Sequence, residues 1–229
     1  SEEIRYENYV RLEYIEKNTE FFREIDNWIN SATRNKHGYI SGKMKIRNIY
    51  VLYNDTQYKQ YKKYQKAIIV ENVEKPLHQP NTEKLKPSCD KSNTAILFHG
   101  SRSANVSRIL KSGKLLLPKA LSGVSINGSL YGAGSYFADD WKKSAGYCSI
   151  DNSAWVRGQG KINSRKAFMF IAHTVLGKPK VEMSPKGYSQ PPVGFNSVMG
   201  KMGTNVLNNE FIIYDENANI LNYLVEFEV

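Results

Sequence analysis

The strand-like runs in the second half of this chain are short, unevenly spaced and not separated by regular helices. Ala95–Phe98, Ser135–Phe137, Ala167–Val175, Phe211–Tyr214 and Leu221–Val229 are rich in apolar, β-branched and aromatic residues. A parallel, doubly wound sheet needs a crossover of a dozen residues or more, usually a helix, between successive strands. That alternation is absent, so the pattern predicts an α+β chain with a mostly antiparallel sheet.

Helical spacing is clearest near the start. Tyr9, Leu12 and Ile15, then Phe21, Phe22, Ile25, Trp28 and Ile29, recur at three- and four-residue intervals, which predicts helices within 5–31. Asn18 or Thr19 is a candidate cap for the second of them. Residues 31–42 read as a polar turn, Lys43–Tyr53 as a strand and Thr56–Lys66 as a short helix. Glu74–Asn93 holds Pro76, Pro80 and Pro87 among polar residues and reads as a loop. Asn105–Ser112 reads as a helix closed by Gly113. Asp139 is placed to cap a further helix running to about Tyr147, after a glycine-bearing loop at 118–134.

With 229 residues, of which 41% are hydrophobic and 24% charged, the chain can bury a core and is not wholly disordered. The length suits one medium domain with appendages. Two cysteines, Cys89 and Cys148, exclude a disulfide framework and a cysteine-rich zinc site. No apolar run reaches the ~20 residues of a membrane helix. The net charge of +10 is spread over both halves and favours polyanions as a class: nucleic acid, anionic lipid or an anionic cofactor. On 56–66, Tyr58, Tyr61 and Tyr64 alternate with Lys59, Lys62, Lys63 and Lys66. That reads as an amphipathic helix with its tyrosine face packed and its lysines in water.

Four motifs carry candidate chemistry. His99-Gly100-Ser101 ends a strand, where a glycine lets a ligand approach the backbone. Tyr131-Gly132-Ala133-Gly134-Ser135-Tyr136-Phe137-Ala138-Asp139 brings two glycines before a strand, without the third glycine and following helix of a dinucleotide fingerprint. Lys142-Lys143-Ser144-Ala145-Gly146-Tyr147 offers a hydroxyl and a ring three residues apart. Asn208-Asn209-Glu210-Phe211-Ile212-Ile213-Tyr214 leads a carboxylate into an apolar strand. Each alone reads as ordinary turn or core. No histidine has metal-ligand spacing.

Together and in this order, the motifs closely resemble the catalytic domain of the poly(ADP-ribose) polymerase family, ADP-ribosyltransferases of the diphtheria-toxin-like class. The resemblance covers about residues 43–229 and includes Val175-Leu176-Gly177-Lys178. It implies two packed, mostly antiparallel sheets with flanking helices. It implies one catalytic domain over 1–229, with 1–42 as helical lead-in, 43–229 as catalytic core and no helical regulatory domain. NAD+ would be the consumed substrate, with no metal.

By the same resemblance, His99, Tyr136 and Glu210 form a triad, and Lys143 assists transfer. Gly100 and Ser144 hold the nicotinamide carboxamide, Tyr136 and Tyr147 sandwich the ring, and Phe137 is also among the NAD+-binding residues. His99 bonds a hydroxyl of the adenine-side ribose, with Ser101 and Asn105 on the adenosine side. Residues 118–134 become the loop over NAD+, and 179–206 border the acceptor side. Leu115 stands where the family often has Arg.

The implied activity is transfer of ADP-ribose from NAD+ to Glu, Asp or Ser side chains of acceptor proteins, with elongation of poly(ADP-ribose). Alternatives are single-unit transfer, NAD+ glycohydrolysis, or a silent module that binds NAD+ or nucleic acid. Further expectations are automodification, nucleic-acid contact through the basic surface or other domains, no membrane, a monomeric state, and a nuclear or cytoplasmic location.

Overall fold

In the computed structural model, the described residues are 10–32, 40, 42–87, 91–118, 130–150, 166–203 and 207–228. Among the described residues, nine strands form two sheets. The larger contains β1 (Arg11–Tyr14), β2 (Lys45–Tyr53), β3 (Thr94–Gly100), β5 (Ala167–Val175) and β9 (Asn219–Glu228), in the order β1-β2-β9-β5-β3. The smaller has the order β4-β8-β7-β6, from β4 (Ser135–Phe137), β6 (Pro179–Glu182), β7 (Ser197–Gly200) and β8 (Glu210–Ile213). All pairings between these nine strands are antiparallel except β6 with β7. The α+β expectation with two mostly antiparallel sheets is therefore met.

Alternation along β3 distributes its side chains to two cores. Ile96 and Phe98 join α1 (Glu20–Asn30), whose Phe22, Ile25, Trp28 and Ile29 are buried with Ile49, Trp141 and Phe227. Burial of each such side chain contributes about 1.5–3 kcal/mol. Ala95 and Leu97 point to the other core, between the sheets, with Phe170, Leu224, Phe137, Met199, Phe211 and Ile213. Thr19 caps α1 by accepting the Phe22 amide at 3.2 Å.

Several expectations need correction. Among the described residues of 5–17 there is no helix: Arg11–Tyr14 pairs with Tyr50–Tyr53 as an edge strand whose four residues are all exposed. Backbone pairing along β2 outweighs the apolar spacing of Leu12 and Ile15. Within 179–206, expected to border the acceptor side, the structure adds two strands that the sequence reading did not mark, β6 and β7. α4 spans Trp141–Ala145, and its cap is Asp140, whose side chain accepts the Lys142 amide. Asp139 is instead engaged by the Leu77 amide at 2.9 Å. On α2 (Asp55–Ala67) the buried face is Gln57, Tyr61 and Gln65, with Tyr58 exposed. Gln57 turns inward because it donates to Glu216 O and Asn219 O. α3 (Ser103–Ser112) ends at Gly113, as expected. Cys89, most of the 118–134 loop and residues 33–39, 41 and 204–206 lie outside the described residues.

Candidate active site

β3 ends where the two sheets meet. Phe98 and Ala138 exchange backbone hydrogen bonds of 2.8 and 3.0 Å, tying β3 to the turn after β4. His99 is next on β3, with its ring 5.5 Å from that of Phe137. His99 Nδ1 lies 2.8 Å from Tyr136 O. A carbonyl only accepts, so Nδ1 carries the proton and neutral His99 keeps Nε2 as an acceptor. Burial pushes the His99 pKa below its usual value, partly opposed by that backbone bond.

Tyr136 is fixed by two bonds. Its hydroxyl donates to Gly132 O and accepts from the Tyr131 amide, both at 2.9 Å. Burial raises its pKa, with a further contribution from Glu210. The phenol is thus a neutral, immobile ring.

Gly100 is required by close approach. A Cβ there would lie 1.8 Å from the carbonyl oxygen of Ser144 on α4. The contact sets α4 directly against the end of β3. Ser144 Oγ donates to Phe98 O at 2.9 Å, which leaves its lone pairs for an incoming amide N–H.

Glu210 opens β8 at 3% exposure. Its Oε1 pairs with Lys143 Nζ at 2.6 Å, and its Oε2 has no partner. Burial lowers the Lys143 pKa, but attraction to Glu210 and Tyr147 outweighs this and the net shift is upward. Lys143 therefore stays an ammonium. It also lies over the Tyr147 ring, 5.4 Å from its centroid.

These side chains line one cavity of about 180 Å³: His99 and Gly100 from β3, Tyr136 and Phe137 from β4, Lys143 and Ser144 from α4, then Tyr147 and Glu210. The site residues expected at its centre thus come together. Phe137 contributes an edge only, because it is buried in the inter-sheet core. Ser101 and Asn105 line an adjoining cavity of about 200 Å³, which shares His99, Leu116 and Ser135 with the first. Leu115 packs into the core, and Arg108 and Lys114 supply the cations at that end.

Sequence reasoning missed three supports. Tyr131 holds Tyr136 through its amide, and its own carbonyl accepts the Tyr214 hydroxyl at 2.6 Å. Gly200, paired with Glu210 across β7 and β8, leaves room for the Tyr131 ring, 2.5 Å from where a Cβ would stand. Asn209 accepts the Met202 amide at 2.9 Å and donates to Asp139 at 3.3 Å, fixing the approach to Glu210. Tyr131 and Asn209 stand within the motifs named above, and Gly200 does not.

A model of the poly(ADP-ribose) polymerase catalytic domain matches residues 19–229. The chain belongs to this family. It is 31% identical over 175 residues to poly(ADP-ribose) polymerase 1 of Danio rerio, covering 69% of this chain and 17% of that protein. It is 36% identical over 98 residues to the poly(ADP-ribose) polymerase tankyrase of Caenorhabditis elegans, covering 43% of this chain and 4% of the other. A poly(ADP-ribose) polymerase of Sarcophaga peregrina is 27% identical over 214 residues, 85% of this chain and 20% of that one. The chain thus spans no more than a fifth of these relatives. The family uses NAD+ as substrate and modifies protein acceptors. Among the described residues, no helix is long and apolar enough to cross a membrane, and no group of three or more His, Cys, Asp and Glu is arranged to hold a metal.

Proposed function

We propose that this chain cleaves NAD+ and transfers ADP-ribose to side chains of acceptor proteins, elongating poly(ADP-ribose). The carrying observation is the buried Glu210 carboxylate, with Oε1 neutralised by Lys143 and Oε2 unpartnered, in the same cavity as His99 and Tyr136.

The C–N bond between ribose and nicotinamide breaks, its electron pair leaves with nicotinamide as a neutral base, and oxocarbenium character develops on the sugar. A fixed carboxylate stabilises that charge more in the transition state than in the ground state. Glu210 Oε2 bonds the ribose hydroxyl beside the reacting carbon and takes the proton of the attacking acceptor hydroxyl. Lys143 pairs with Oε1 and fixes the orientation of the carboxylate. Tyr136 and Tyr147 flank the nicotinamide ring, with the edge of Phe137 beside it. The Gly100 backbone and Ser144 Oγ take its carboxamide. His99 Nε2 accepts a hydroxyl of the adenine-side ribose, and Ser101 and Asn105 meet the adenosine. The two adjoining cavities suit an elongated dinucleotide.

Residues 43–229 act as one catalytic core with 1–42 as its lead-in. The chain itself is among its acceptors, works as a monomer in a nuclear or cytoplasmic setting, and meets nucleic acid through its basic surface. Incubation with labelled NAD+ tests the main reading: a ladder of modified protein means polymer, and one sharp band means single units. Free ADP-ribose alone means hydrolysis, and no turnover refutes the transferase.

A further inference from the structure

A second cavity, of about 200 Å³, shares no lining residue with the catalytic one. Ala138 and Glu210 line the catalytic cavity, and their chain neighbours Asp139 and Asn209 line the second. Its apolar wall comes from Ala32, Leu77 and Met202, and beside these the His78 ring stacks on Trp28 at 5.8 Å. Its polar end holds Asp139, Asp140 and Asn208.

Two polar atoms there are left over. Asp140 is 6% exposed and Asn208 is 5% exposed. Asp140 Oδ1 caps α4 by accepting the Lys142 amide at 2.9 Å, but Oδ2 has no partner. Asn208 Nδ2 has none either. Buried polar atoms are nearly always paired, so one orphan acceptor and one orphan donor in a single cavity call for a ligand that supplies both complements.

We propose that this cavity is a subsite for a Lys or Arg residue of the acceptor protein, close in sequence to the residue that receives ADP-ribose. The cationic head donates to Asp140 Oδ2. The aliphatic stem lies along Ala32, Leu77 and Met202, as long basic side chains do beside apolar surface. A main-chain carbonyl of the same segment accepts from Asn208 Nδ2. Two adjacent carboxylates in a chain of net charge +10 make this an acidic spot on a basic protein. At roughly 3.3 Å per extended residue, Asn208 lies about 7 Å along the chain from Glu210, a span of two or three acceptor residues.

The inference rests on the transferase reading, and its test separates the two. Synthetic peptides carry a single serine or glutamate acceptor, with lysine or its uncharged analogue norleucine at each neighbouring position in turn. Wild-type kcat/KM for labelled transfer should favour lysine over norleucine at one position by at least about tenfold, the lower end for a hydrogen bond to a charged group. In Asp140→Asn, which keeps an oxygen for the helix cap, that ratio should collapse to near one. Asn208→Asp leaves the cap untouched and should raise the ratio, which covers the case of a poorly folded Asp140 variant. No lysine preference at any position, or a preference that survives Asp140→Asn, overturns the subsite. Nicotinamide release without peptide reports on the transferase alone, and peptide binding by fluorescence anisotropy without NAD+ reports on the subsite alone.

Discussion

Replacing Gly100 by alanine tests how the catalytic cavity is assembled. The new Cβ would stand 1.8 Å from Ser144 O and 2.7 Å from Ser144 C, both backbone atoms that cannot swing aside. Ordinary contact begins near 3.4 Å, so α4 must withdraw by about 1.6 Å. Lys143 and Ser144 travel with it, and the 2.6 Å bond from Lys143 to Glu210 cannot persist unchanged. A displacement of about 1 Å in a reacting array costs about 100-fold in rate. Nicotinamide release at saturating NAD+ should therefore fall by about two orders of magnitude, roughly 2.7 kcal/mol of barrier. Overpacking should also remove about 1–3 kcal/mol of stability, seen as a lower urea midpoint. Wild-type turnover with an unchanged midpoint would show that α4 does not lean on the end of β3, and the account of the cavity would fail.

Glu210→Gln removes the charge while keeping the shape, so kcat for nicotinamide release should drop by about 100- to 1000-fold with NAD+ affinity little changed by calorimetry. Persistent chain growth on labelled NAD+ would take the role from Glu210. Tyr147→Ala should weaken a nicotinamide-mimicking inhibitor by about 1–3 kcal/mol, the worth of base–aromatic stacking, and an unchanged Kd would remove Tyr147 from the ring pocket. His173 has its pKa pushed down to about 4, chiefly by burial, against 6.5 ordinarily. The unfolded chain takes this proton first. Its contribution is complete above about pH 6.5 and is lost at about 1.4 kcal/mol per pH unit as pH falls towards 4. Urea midpoints between pH 7 and 5 should fall less steeply in His173→Gln than in the wild type, and equal slopes would refute the assignment.

The residues proposed to be catalytic were legible because each travels with a local signal. His99 ends an apolar run, Tyr136 follows two glycines, and Glu210 precedes Phe211-Ile212-Ile213. Elements whose reason lies elsewhere in the chain were not legible. Arg11–Tyr14 has no buried face to imprint an alternation, and only its pairing with Tyr50–Tyr53 makes it a strand. β6 and β7 are four residues each and stabilise one another in parallel, so neither shows a periodic pattern by itself. Asp139 and Asp140 are equal candidates for the cap until the Leu77 amide claims Asp139. The support of Tyr131 depends on a missing side chain at Gly200, which no inspection of either segment alone would reveal.

β9 lies in the middle of the larger sheet, between β2 and β5, yet it follows both in the chain. During synthesis the emerging polypeptide therefore lacks the strand that joins β2 to β5 until Asn219–Glu228 arrives. Glu210 leaves the ribosome just ahead of that closing piece. A half-made chain thus has no finished scaffold on which to aim the Glu210 carboxylate.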